Sequence, residues 1–201
     1  MPRIFIVHYE EDPEAIVNFR IECICKWGDH INYTRDAIIS IIAGLDDINV
    51  VADRLLTNQV EIGNLIEPYY GKESAGILTD LLKLHIGIGA DIVRYIKAGR
   101  TYSELRMKWD ANAADIANCL FSLDPDNWST ETTLSHFKNH MDLTLAEATA
   151  RYAMDWMGDI AAYDAVNKLM YKMAEYFSAG IISKFPEKFV KYDQYVAKPK
   201  R

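Results

Sequence analysis

Apolar residues return every three or four positions along almost the whole of this chain, a spacing that lays them on one face of an α-helix and leaves little room for any other fold. Ile24, Trp27, Ile31, Ile38, Ile41 and Leu45 form a first stripe, and Val51, Leu55, Ile62, Ile66 and Tyr69 a second. Leu78, Leu81, Ile88, Ile92 and Tyr95 follow, then Leu105, Trp109, Ile116, Cys119 and Leu123. Leu134, Phe137, Met141 and Ala148 make a fifth stripe, and Ile160 to Ile181 a sixth. Breakers fall between them. Asp12-Pro13-Glu14 starts the first helix, Gly44 to Asp47 turns the chain, and Pro68 with Gly71 closes the second helix. Ala98-Gly99 ends the third, Thr101-x-x-Glu104 is a capping box for the fourth, Asp124-Pro125-Asp126-Asn127 breaks it, and Ser129 caps the fifth. Between 152 and 158 the one breaker is Gly158, which leaves helices five and six either separate or continuous. The pattern predicts an all-α, up-and-down bundle of about six helices over residues 13–186, with an N-terminal arm (1–12) and a basic tail (187–201).

A second regularity organises the first. His30-Ile-Asn-Tyr-Thr34, His85-Ile-Gly-Ile-Gly89 and His140-Met-Asp-Leu-Thr144 share one form and stand 55 residues apart. Asn58, Asn112 and Asn167 follow the three histidines by 28, 27 and 27 residues. A fixed period names a structural unit, here a helical hairpin repeated three times. At about 1.5 Å rise per residue, each histidine and its asparagine lie some 20 Å from their turn and face each other. The hairpins then carry one polar layer of His30, His85, His140, Asn58, Asn112 and Asn167. Thr34, Gly89 and Thr144, one turn after each imidazole, leave it room, and a threonine hydroxyl can bond it.

Two uses of such a layer stand open. It can fix helix register as a buried hydrogen-bonded stratum. It can also bind a divalent metal (zinc, iron or manganese) through the three histidines, with Glu61, Asp115 or Asp164 completing or orienting the shell. A pocket reaching the layer would add small-ligand binding. The third unit breaks the symmetry, because Asp164 precedes Asn167 whereas Glu61 and Asp115 follow their asparagines. There is no Glu-x-x-His pair of the di-iron kind, and His136-x-x-x-His140 lacks the following glutamate of a metalloprotease. Arg35 and Arg151, which follow the first and third histidines on their helices, make interhelical ion pairs if buried and are ordinary surface charges if exposed, the second reading being favoured.

Composition narrows the field further. With 201 residues, half of them hydrophobic, the chain supports a single core. A net charge of -7 argues against nucleic acid except through the basic C-terminal tail, leaving a homo-oligomer or a protein partner. Cys23, Cys25 and Cys119 form an odd set, read as free thiols in the cytoplasm. No signal peptide, transmembrane-length apolar run, phosphate loop or Gly-x-Ser-x-Gly motif is present. Whether the chain is an enzyme is not legible.

Leu81-Leu82-x-x-His85-Ile86, Trp109-x-x-Asn112-Ala113, His140-x-x-Leu143-Thr144-x-x-Glu147-Ala148, Asp159-Ile160-x-x-Tyr163-Asp164 and Gly180-Ile181-Ile182 with Phe185-Pro186 carry a resemblance. From Trp27 to Phe189 the chain resembles a poorly characterised family of small bacterial helical-bundle proteins, whose members sometimes bear misannotated names such as glycosyltransferase or acetylglutamate kinase. The resemblance implies a family-level role for His30, His85, His140, Asn112 and Asp164, and an acid at position 167 where this chain has asparagine.

Overall fold

The computed structural model describes residues 6–195, with side chains from 11 to 191. Six helices carry the fold: α1 Pro13–Ala43, α2 Ile48–Asn64, α3 Glu67–Lys97, α4 Ser103–Leu123, α5 Thr130–Tyr152 and α6 Trp156–Lys184. Helix α1 begins where Asp12 accepts the amides of Glu14 and Ala15 (3.2 and 3.3 Å), one residue before Pro13. It ends at Gly44, whose φ of 70° is a left-handed conformation that glycine adopts without steric cost. Ser129 likewise caps α5 through the amide of Thr132 at 3.1 Å. Each hairpin pairs its own helices, α1 with α2, α3 with α4 and α5 with α6, while α2 meets α3, α4 meets α5, and α6 returns to α1. Helices α1, α3 and α5 also touch one another, so the three odd helices form an inner triangle and the even helices lie outside it. The all-α bundle is as expected, and no helix among the described residues is long and apolar enough to cross a membrane.

Several boundaries differ from expectation. Pro68 and Gly71 do not close α2, which stops at Asn64; both lie in α3, where Gly71 (φ 83°, ψ 166°) kinks the first turns. The Thr101–Glu104 box does not form, because α4 begins at Ser103 after a non-extended Tyr102 with no side-chain cap. Helices α5 and α6 are separate, divided by Met154 in a left-handed conformation and by Asp155, which caps Gly158. The order does not end at Pro186. Residues Pro186–Phe189 make a 3-10 turn, and β2 (Val190–Tyr195) pairs antiparallel with β1 (Ile6–Glu11), because Phe189 is buried on Phe19 and Tyr69 and its carbonyl takes the Asp12 amide. The last residues of the basic tail, 196–201, lie outside the described residues, as do residues 1–5 of the arm.

Candidate functional site

The inner triangle places one histidine from each of its helices at the centre of the bundle. His30 on α1, His85 on α3 and His140 on α5 are all buried, with ring centres 5.5 Å apart for His30 and His140 and 5.9 Å for His85 and His140. Between them opens a cavity of about 40 Å³, lined also by Thr34, Thr144, Trp109 and aliphatic side chains such as Ile38, Leu55 and Val93. Gly89 makes the wall possible, since a Cβ there would stand 3.0 Å from a Trp109 ring carbon. Burial disfavours the charged imidazole, pushing His30 down to about 4 and His85 down to about 3, with His140 well below its usual value. At neutral pH the layer holds three neutral rings.

Second partners orient these rings unequally. Asn112 donates from Nδ2 to the Leu81 carbonyl (3.0 Å), which fixes its oxygen toward His85, and Nδ1–H of His85 donates to Asn112 Oδ1 at 2.8 Å. The proton on Nδ1 leaves the Nε2 lone pair of His85 bare, buried and without a partner. Asn58 donates to the Lys26 carbonyl at 2.9 Å, four residues before His30, as Asn112 does four residues before His85. Yet Asn58 does not reach its histidine. Gln59 does, with Nε2 3.2 Å from His30 Nδ1 and also on the Leu55 carbonyl and Asn58 Oδ1. Asn167 is half-buried and makes no side-chain hydrogen bond among the described residues; His140 meets Thr144 Oγ1 at 3.4 Å. The hydroxyls of Thr34 and Thr144 instead bond the carbonyls of His30 and His140 (2.7 and 2.9 Å).

The carboxylates expected around the layer lie elsewhere. Asp115 and Asp164 are exposed, and Glu61 pairs with Lys26 and Arg54, each at 3.3 Å. A residue three positions on is turned about 60° off the asparagine's face, and on an outer helix that rotation points it to the flank. Among the described residues, no group of three or more His, Cys, Asp or Glu side chains stands ready to hold a metal.

Three acids among the described residues are buried in the bundle, Asp124 at the end of α4 and, on α5 and α6, Glu147 and Asp159, the last two each about 1% exposed. Arg35 joins Glu147 and Asp159 in the interhelical ion pair that was the less favoured expectation: its NH1 reaches Glu147 Oε1 at 2.7 Å and Asp159 Oδ1 at 2.9 Å, and Arg151 reaches Asp159 Oδ2 at 2.9 Å. Burial raises the Glu147 carboxyl to about 7 against the pull of Arg35, while the two guanidinium groups hold Asp159 below the usual carboxylate range. Sequence reasoning missed Glu147, although it stands seven residues after His140, two turns along the same face, a spacing that could have marked it. His136, one turn before His140, is half-buried against Tyr176. Scans against protein-family models, curated proteins and solved structures find no match for this chain.

Proposed function

We propose that the three-histidine cavity binds one divalent transition metal. The observation that carries this reading is His85, whose Nδ1–H is held by a carboxamide while its Nε2 lone pair is buried without a partner, the orienting pattern seen behind metal-ligating imidazoles. An orphaned buried acceptor costs about 1–3 kcal/mol, which a bound ligand removes. Three imidazoles on one tetrahedral ion, with metal–nitrogen bonds of about 2 Å, have ring centres roughly 5 Å apart. The separations of His140 from His30 (5.5 Å) and from His85 (5.9 Å) lie close to that spacing. Of zinc, iron and manganese, an imidazole shell without carboxylates favours zinc or iron, since manganese prefers oxygen ligands. A water needs about 10–15 Å³, so the cavity of about 40 Å³ leaves the metal an open position.

The test is elemental analysis of tag-free protein, as purified and after incubation with each metal and gel filtration. Close to one equivalent should be retained, and the triple His30→Ala, His85→Ala, His140→Ala variant should lose it. Retention below about a tenth of an equivalent, or equal retention by the variant, overturns the reading.

A second reading has its own observation. Asn58 and Asn112 each tie an outer helix to the backbone of an inner one at matching heights, which favours a register-fixing layer in a non-catalytic interaction protein. The matching bonds also favour descent of the first two hairpins from one unit, and the free thiols favour a cytoplasmic protein.

A further inference from the structure

The turn between α5 and α6 carries the densest exposed apolar cluster on the bundle. Met157 is 83% exposed and Met154 70%, while Tyr152, Trp156 and Ile160 are each about half exposed, all within nine residues of chain. Met154 also has a φ of 59°, the one non-glycine residue with positive φ among the described residues. A left-handed backbone costs a side chain roughly 1–2 kcal/mol that glycine would escape. The turn therefore holds a strained residue and presents its side chain to solvent. The turn is also well held, since Asp155 caps Gly158 at 3.0 Å and Arg151, paired with Asp159, stacks on Trp156 at 5.3 Å.

We propose that this turn is the contact through which two copies of the chain form a two-fold dimer. The five side chains present roughly 600 Å² of apolar and aromatic surface, at the upper end of what a monomer exposes, and two such faces together bury roughly 1,200 Å², the lower bound of a stable interface. Met, Trp and Tyr are the residues that interface centres favour, and residues 151–160 contain no lysine or glutamate. A lipid surface is the poorer occupant, because the segment's one cation, Arg151, is tied to Asp159 and an anionic membrane recruits basic residues.

Sedimentation equilibrium on the full chain, over about 1 to 100 μM, tests this. The expected result is a dimer whose dissociation constant rises at least about tenfold in Met157→Asp, with helicity unchanged. Met154→Gly is the discriminating variant: it removes the exposed side chain and relieves the backbone, so dimerisation should weaken while the monomer's midpoint of thermal unfolding rises. A wild type that is monomeric throughout overturns the proposal, as does a dimer indifferent to both variants. A monomer whose tryptophan fluorescence shifts to the blue on anionic vesicles also overturns it, in favour of lipid.

Discussion

Lowering the pH from 8 to 5 should destabilise this fold, by an amount that follows from the buried layer. Each histidine has an unfolded value near 6.5, and burial depresses the folded value, to about 4 for His30, about 3 for His85 and well below 6.5 for His140. Depressed folded values mean that the unfolded chain takes up protons first, so stability is complete above 6.5 and is lost as pH falls toward the folded values. At pH 5 the loss depends almost wholly on the unfolded value, at about 2 kcal/mol per imidazole and about 6 kcal/mol for three. Glu147 acts in the opposite sense. Its folded value is raised from 4.5 to about 7, so its contribution is present at low pH and lost as pH rises through 7. Between pH 8 and 5 it returns roughly 2 kcal/mol, leaving a net fall of about 4 kcal/mol. Urea unfolding followed by circular dichroism at pH 8, 7, 6 and 5 reads this directly, and Glu147→Gln should steepen the fall. A flat profile in both proteins would refute the neutral buried layer.

Three further outcomes are expected. Asn112→Ala strips His85 of its acceptor and the Leu81 carbonyl of its donor, so it should cost about 2–4 kcal/mol in urea unfolding, whereas Asn167→Ala should stay within about 1 kcal/mol. Gly89→Ala drives a methyl to 3.0 Å from the Trp109 ring beside the cavity and should cost about 1–3 kcal/mol with a change in tryptophan fluorescence. Of the three free thiols, exposed Cys25 should react rapidly with a disulfide reagent in the folded protein. Buried Cys23, its thiol pushed up to about 12, should react only on unfolding.

The all-helical fold, the apolar faces and the convergence of His30, His85 and His140 could be read from the chain because each rests on spacing along one helix, whereas the break between α5 and α6, made by Met154 and Asp155, could not. Periodicity fixes a face, and three equal spacings fix a height. The rest of what could not be read depended on rotation between helices. Asn112 meets its histidine, but at the first hairpin Gln59, one residue beyond Asn58, takes that place. Glu61, Asp115 and Asp164 stand three residues from an asparagine, and on outer helices that distance turns Asp115 and Asp164 to solvent and Glu61 to a flank with Lys26 and Arg54. Arg35 resembles any surface arginine until α5 and α6 bring Glu147 and Asp159 to it across more than a hundred residues of chain. The strand pairing of the two ends was hidden for the same reason, since neither β1 nor β2 has a partner nearby in sequence.

Arg35 holds the Glu147 carboxyl, while burial is what keeps the histidine layer neutral. An ionised carboxylate near an imidazole stabilises the protonated ring and would raise its folded value. Glu147 lies on the face of α5 that carries His140 and Thr144, yet its carboxyl, raised by burial to about 7, is paired with Arg35 in a cluster with Arg151 and Asp159. The ionic cluster and the neutral layer are thus separate strata, and in the second the Nε2 of His85 is left without a partner. Arg35→Gln should cost about 3–5 kcal/mol at pH 8, where Glu147 is ionised, chiefly because it strips two buried acids of their shared guanidinium. The double variant Arg35→Gln with Glu147→Gln removes one of those acids and should recover most of the loss in urea unfolding, with the His140 ring still titrating far below 6.5 by proton NMR. A double variant no more stable than the single one would show that Arg35 acts by packing on Tyr163, at 4.5 Å, rather than by holding the charge of Glu147.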